Sequence, residues 1–316
     1  MAPIEERPGT IPLRPLRLGD IFDGAFRSIR FAPSVMFGLT AVIVTIAAVG
    51  QSIPLFFLDT SFGLDSSYDS SASLSAGLNL LLSYGIGIIL AFLSATILSG
   101  MLTYAVAQGA IGKKATIGSS WHAIGGRLPG LIGLSLLIGL IVILAAAIPM
   151  VLIIAGIGLS GSSFMDDSGG GLAAGIGMVL LGAVAAGAAA LWITTRTLLA
   201  PAALVLEGQG IRAAIKHGWE LSRGRFWRIL GIYLLTSLIV GTISGMVSAP
   251  AGVIAGFVGL TNPALMAVVT ALGSAIASLL TVPFTASVVA LLYIDARIRS
   301  EGLDLALIKA AGEQDP

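Results

Sequence analysis

Long apolar stretches broken by short polar segments set the pattern of this chain. No charged side chain stands between Arg30 and Asp59, from Ser70 to Gly112, from Leu128 to Met165, from Ser168 to Thr195, or from Ile229 to Ile294. A helix needs about 20 apolar residues to cross the hydrocarbon core of a bilayer. On that length the first four stretches hold one span each. The last holds two, divided near Ser248-Ala-Pro-Ala and Thr261-Asn-Pro. The predicted spans are 33–57, 76–104, 130–157, 171–195, 228–249 and 265–293. Continuous apolar runs without period-two alternation predict helices, not a barrel, because backbone groups in lipid must pair within their own segment. The expected fold class is an all-α integral membrane protein with six transmembrane helices.

The polar segments sort by sign of charge. Arg7, Arg14, Arg17, Arg27 and Arg30 precede the first span; Lys113, Lys114 and Arg127 lie between the second and third; Arg196 to Arg228 lie between the fourth and fifth. Arg297, Arg299 and Lys309 follow the sixth. The alternate loops carry Asp59, Asp65, Asp69, Asp166 and Asp167 and no Lys or Arg. The positive-inside rule then puts both termini in the cytoplasm of a multi-pass cell-membrane protein. Met1 to Arg30 is polar and has no short apolar core, so no cleavable signal peptide is expected.

Three cytoplasmic segments resemble one another: Leu18–Arg30, Thr116–Arg127 and Ile211–Arg225. Arg30, Arg127 and Arg225 recur at even spacing, as do Trp121 and Trp219. In the third segment Ile211, Ile215 and Trp219 fall on one helical face, with Arg212, Lys216, Glu220 and Arg223 on the other. That pattern suits a helix lying in the headgroup plane. The expected unit is an interfacial helix followed by a two-span hairpin, used three times over about 16–112, 113–209 and 210–304. Residues 1–15 and 305–316 are expected to be flexible cytoplasmic ends.

Composition narrows the chemistry. The chain is 56% hydrophobic and 10% charged, with a mean hydropathy of +0.99 and a net charge of +1; soluble domains are about 25% charged. Cysteine is absent, which removes disulfides and thiolate sites. His122 and His217 are the only histidines and are expected on the surface, so no metal, cofactor or catalytic residue is assigned. Gly156-Ile-Gly-Leu-Ser-Gly161 matches a dinucleotide fingerprint, but it falls in a membrane span with no preceding strand. Ionisable groups are missing from the middle of every span, which argues against a proton pump. Gly171/Gly175, Gly241/Gly245 and Gly252/Gly256 carry the spacing of close helix contacts. Pro250 and Pro263 are expected to bracket the last outer turn.

Leu198 to Arg228, Tyr293 to Asp304 and the opening Leu16-Arg-Leu-Gly-Asp-Ile-Phe-Asp-Gly-Ala-Phe resemble the membrane domain associated with bacterial glycerophosphoryl diester phosphodiesterases. The chain looks like a stand-alone relative: only 12 residues follow Asp304, against about 250 for a catalytic barrel. The resemblance therefore implies a membrane domain and no phosphodiesterase activity.

The sequence favours a non-enzymatic protein that organises lipids or partner proteins at the cytoplasmic leaflet. The alternative is a transporter or lipid-translocating channel. Arg212, Lys216, Arg223, Arg225 and Arg228 are the expected contacts to anionic headgroups. Arg196 and Asp295, at the inner ends of the fourth and sixth spans, are expected to pair. Membrane lipids and membrane proteins are the expected partners, nucleic acid is not, and no cofactor is expected.

Overall fold

The computed structural model describes residues 15–61, 92–163, 169–259 and 262–301. Among these all regular structure is helical. In chain order the helices are α1 (Leu18–Phe31), α2 (Pro33–Ser61), α3 (Phe92–Ala110), α4 (Ile117–Gly125) and α5 (Leu128–Ser163). They continue with α6 (Gly169–Thr197), α7 (Ala200–Glu207), α8 (Ile211–Ser222), α9 (Phe226–Gly259) and α10 (Pro263–Glu301). The six predicted spans fall on α2, α3, α5, α6, α9 and α10. Five helices are each long and apolar enough to cross a membrane, and α2 joins them if it is counted together with α1. The expected start of the second span, the acidic loop residues Asp65, Asp69, Asp166 and Asp167, and both chain ends lie outside the described residues.

The three amphipathic segments form α1, α4 and α8, each ahead of a long helix. α1 meets α2 at an angle of 84°. The bend falls at Ala32, where Pro33 can begin a helix but cannot continue one. The buried face of α1 is Ile21, Gly24, Ala25 and Ser28, while Leu18 is largely exposed. Phe22 and Phe26 lie against the ring of Phe284 on α10, at 5.9 and 5.1 Å between centroids. α4 opens on a capping box. The Thr116 hydroxyl accepts from Ser119 N at 3.1 Å, and the Ser119 hydroxyl accepts from Thr116 N at 2.9 Å.

α7 was not expected. The chain stays apolar from Thr197 to Leu206 beyond the predicted fourth span, yet the long helix ends at Thr197 and a short separate helix follows. Pro201 favours the break: it lacks an N–H and crowds the preceding turn, and here it stands in the first turn of the new helix. Ala200, Ala202, Ala203, Leu204 and Val205 of α7 are buried. They join a core built with α3 (Leu98, Met101, Leu102) and the C-terminal part of α10 (Leu291, Leu292, Tyr293). α3 and α10 are the most buried of the long helices; α5, α6 and α9 expose most of their apolar side chains. Such exposure is what a lipid-facing surface requires.

α5 pairs with α6, and α9 with α10. A Cβ at Gly156 would stand 2.6 Å from the Gly175 carbonyl oxygen, so these two backbones touch as closely as glycine permits. The fingerprint Gly156–Gly161 is continuous helix within α5 and cannot cradle a phosphate. The paired glycines Gly241/Gly245 and Gly252/Gly256 of α9 face open space and make none of the expected contacts. Spacing marks a small-residue face but not the direction in which it points. Pro250 likewise sits inside α9, which runs to Gly259. The final turn is shorter than expected, with Pro263 at the first position of α10 and Asn262 Oδ1 accepting from Leu265 N at 3.0 Å. The hydroxyls of Thr236, Thr281 and Ser287 are buried and donate to carbonyls four residues back, which satisfies them without water.

Candidate functional site

The ion pairs of the described residues gather where α7, α8 and the ends of α6, α9 and α10 meet. α8 lies on α7 through Ala214, Gly218 and Leu221, all buried. Gly218 is required there: a Cβ would come within 2.9 Å of Ala200 N. The opposite face presents Arg212, Lys216 and Arg223 to the exterior, and Lys216 lies 3.9 Å from Glu220 one turn on. Trp219 is 37% exposed and Trp227, just beyond the helix, is 80% exposed. Large aromatic side chains beside basic ones are the composition of a membrane–water boundary.

Arg225 and Arg228 depart from expectation. They belong to the fold and not to the exposed basic face. Arg225 donates to the Arg299 carbonyl at 2.9 Å and to the Ala296 carbonyl at 3.4 Å, at the end of α10. The carbonyls of a helix's last turn lack partners of their own and carry partial negative charge, so a guanidinium fits there. Arg127 does the same for α7, donating to the Val205 carbonyl. Arg127 and Arg225, two of the three arginines that recur at even spacing, thus make the same kind of contact.

Arg228 pairs with Asp295, which is 2% exposed. Arg299 Nε donates to the other carboxylate oxygen at 2.9 Å, and that oxygen also accepts Leu16 N at 2.8 Å. Both arginines also donate to the Leu16 carbonyl, at 2.7 and 2.8 Å. One buried carboxylate therefore ties the segment before α1 to the start of α9 and the end of α10. The expected pairing of Arg196 with Asp295 is not formed. Asp295 is filled by arginines already on its own hairpin, one of them a single turn away on its own helix.

Arg196 sits elsewhere. Its guanidinium stacks over Trp219 at 5.2 Å and Phe226 at 5.4 Å, and its Nη1 reaches the Ser222 hydroxyl only at 3.5 Å. Its Nε is buried and donates to nothing.

A second acid was missed by the sequence reading. Glu207 ends α7, and its carboxylate accepts from the hydroxyl of Tyr293, which is 1% exposed. Arg297 Nη1 lies at 3.2 Å, His217 Nε2 at 3.4 Å, and the Gln209 amide donates to the second oxygen. His217 is thus part of the Glu207 cluster, while His122 is on the surface. No group of three or more metal-ligating side chains occurs among the described residues. The signal for Glu207 was present: an acid that ends an apolar run, followed by Gly-Gln-Gly, needs donors of its own.

A bundle of long apolar helices with the Lys and Arg side chains of the described residues collected at one set of helix ends defines a multi-pass integral membrane protein. The model of a Family of unknown function (DUF7544) matches residues 27–300, and the chain belongs to that family. No curated protein and no solved structure matches it.

Proposed function

We propose that this protein is a non-enzymatic organiser of anionic lipids, and of proteins bound to them, at the cytoplasmic leaflet of the cell membrane. The observation that carries the reading is the split of α8, with Arg212, Lys216 and Arg223 exposed and Ala214, Gly218 and Leu221 docked on α7. A basic helix held rigidly at the membrane boundary attracts anionic headgroups at little ordering cost. The packing of α3, α7 and α10 favours this over translocation, because apolar side chains fill the inner half of the bundle. Two stretches that resemble the phosphodiesterase-associated membrane domain, Leu198–Arg228 and Tyr293–Asp304, supply α8 and both buried carboxylate clusters; the proposal assigns them no hydrolytic role.

Changing Arg212, Lys216 and Arg223 together to Gln should weaken anionic-lipid retention by about 1 kcal/mol per charge, with insertion unchanged. Mass spectrometry of lipids co-purified with wild type and variant reads this directly, and equal anionic-lipid content would overturn the proposal. Orientation has its own check. A reporter that works only outside the cytoplasm should be active when fused after Asp167 and silent after Lys114; the reverse result would place α8 on the wrong leaflet.

A further inference from the structure

Among the half-buried arginines of the described residues, Arg196 is the one whose charge meets neither a carboxylate nor a backbone carbonyl. Arg228 has Asp295, Arg297 has Glu207, and Arg127 and Arg225 have helix-end carbonyls. Arg196 has two aromatic rings and one long contact to a hydroxyl. Rings stabilise a cation, but they accept no in-plane N–H hydrogen bond. The guanidinium plane is therefore held while most of its donors are unused, and Nε is buried without a partner. A buried donor left this way is costly unless something else supplies the acceptor.

The surroundings identify the missing acceptor. Trp192 stands one turn before Arg196 on the same face of α6 and is 47% exposed. Its ring meets Trp219 edge-on at 5.5 Å and 86°. Exposed tryptophans mark the depth at which headgroups give way to acyl chains. At that depth the abundant anion is a phosphate ester, and a planar guanidinium binds phosphate oxygens in bidentate fashion. Ser222, fully buried beside Arg196, donates its hydroxyl to the Trp219 carbonyl at 2.9 Å and so helps to fix Trp219 under the guanidinium, leaving the phosphate to Arg196.

We propose that Arg196, fixed by Trp219 and Phe226 at the junction of α6, α8 and α9, is a binding site for the phosphate of a single phospholipid. It rests on the reading that α8 lies at the lipid headgroups. It adds to that reading a defined site, distinct from the diffuse attraction of the exposed basic face.

The test is a titration of delipidated protein in detergent, followed by tryptophan emission. The probes are short-chain phosphatidylglycerol and, separately, inorganic phosphate. The lipid should give a saturable change in wild type. That change should need roughly tenfold more lipid in Arg196→Gln, the scale of one lost charge-assisted hydrogen bond. Arg196→Lys keeps the charge but loses the fork, and should fall between the two. If Arg196→Gln does not fold, Arg196→Lys carries the test, and a wild-type titration from it overturns the proposal, as does one from Arg196→Gln. A change of equal size with inorganic phosphate would overturn the lipid assignment in favour of a soluble phosphate. The triple variant of Arg212, Lys216 and Arg223 should shift this titration less than Arg196→Gln does. Loss of bulk anionic lipid in the triple variant alone, with Arg196→Gln silent, would leave the α8 reading standing and remove the site.

Discussion

Asp295→Ala is expected to destabilise the protein by about 3–5 kcal/mol, the range found when one partner of a buried ion pair is removed. The carboxylate is 2% exposed and takes hydrogen bonds from Leu16 N, Arg228 and Arg299. Without it, two guanidinium groups face each other across the Leu16 carbonyl, and a buried backbone N–H loses its acceptor. Three elements should loosen together: the segment before α1, the start of α9 and the end of α10. Thermal unfolding in detergent measures the loss, and a variant melting with wild type would show that the carboxylate is dispensable. Arg228→Ala should cost less, because Arg299 remains, and the double variant should cost less than the sum of the two. Arg196→Ala combined with Asp295→Ala should instead be additive, since Arg196 lies on Trp219 and Phe226.

The split of α8 and the separateness of Asp295 and Arg196 show which facts a one-dimensional pattern contains. Charge-free length reports the number of long helices, because lipid tolerates no unpaired backbone. Periodicity reports that α8 has an apolar side, and the structure buries one side of it. Neither reports what lies across from a given residue. Arg196, Arg225 and Arg228 all read as basic groups at membrane-helix ends. One stacks on rings, one meets the carbonyls ending α10, and one pairs with an acid. The choice is made by the rotation of each helix about its axis, a tertiary quantity. The same blindness placed the α9 glycines at a contact when they face open space. The break that creates α7 was more accessible, since Pro201 disfavours a continuous helix, although Pro149, Pro250 and Pro283 are carried inside α5, α9 and α10. Yet the apolar residues around it masked the break, because a buried short helix and a continuing span have the same composition.

Glu207→Ala is expected to cost about 2–3 kcal/mol, less than Asp295→Ala because the Glu207 side chain is 14% exposed. Its position explains its donors. Glu207 is the last residue of α7, where Gly208 turns the chain at φ +68° and the final carbonyls already concentrate negative charge. A carboxylate at a helix C-terminus is unfavourable by itself. Arg297, the Tyr293 hydroxyl, the Gln209 amide and the neighbouring His217 offset it, while Arg127 meets the carbonyl of Val205 beside it. Removing the carboxylate leaves the Tyr293 hydroxyl without its acceptor at a site 1% exposed. Tyr293→Phe removes that donor from the other side and should cost about 1–2 kcal/mol. Once the acid is gone, the hydrogen bond between them is already lost, so Glu207→Ala with Tyr293→Phe should cost less than the sum of the two single changes. Glu207→Gln keeps an acceptor for Tyr293 and Arg297 and should be the mildest of the set. Thermal unfolding of the four variants in one detergent would separate these outcomes. Full additivity of Glu207→Ala and Tyr293→Phe would mean that the two side chains contribute independently and that α7 is held by its apolar contacts alone.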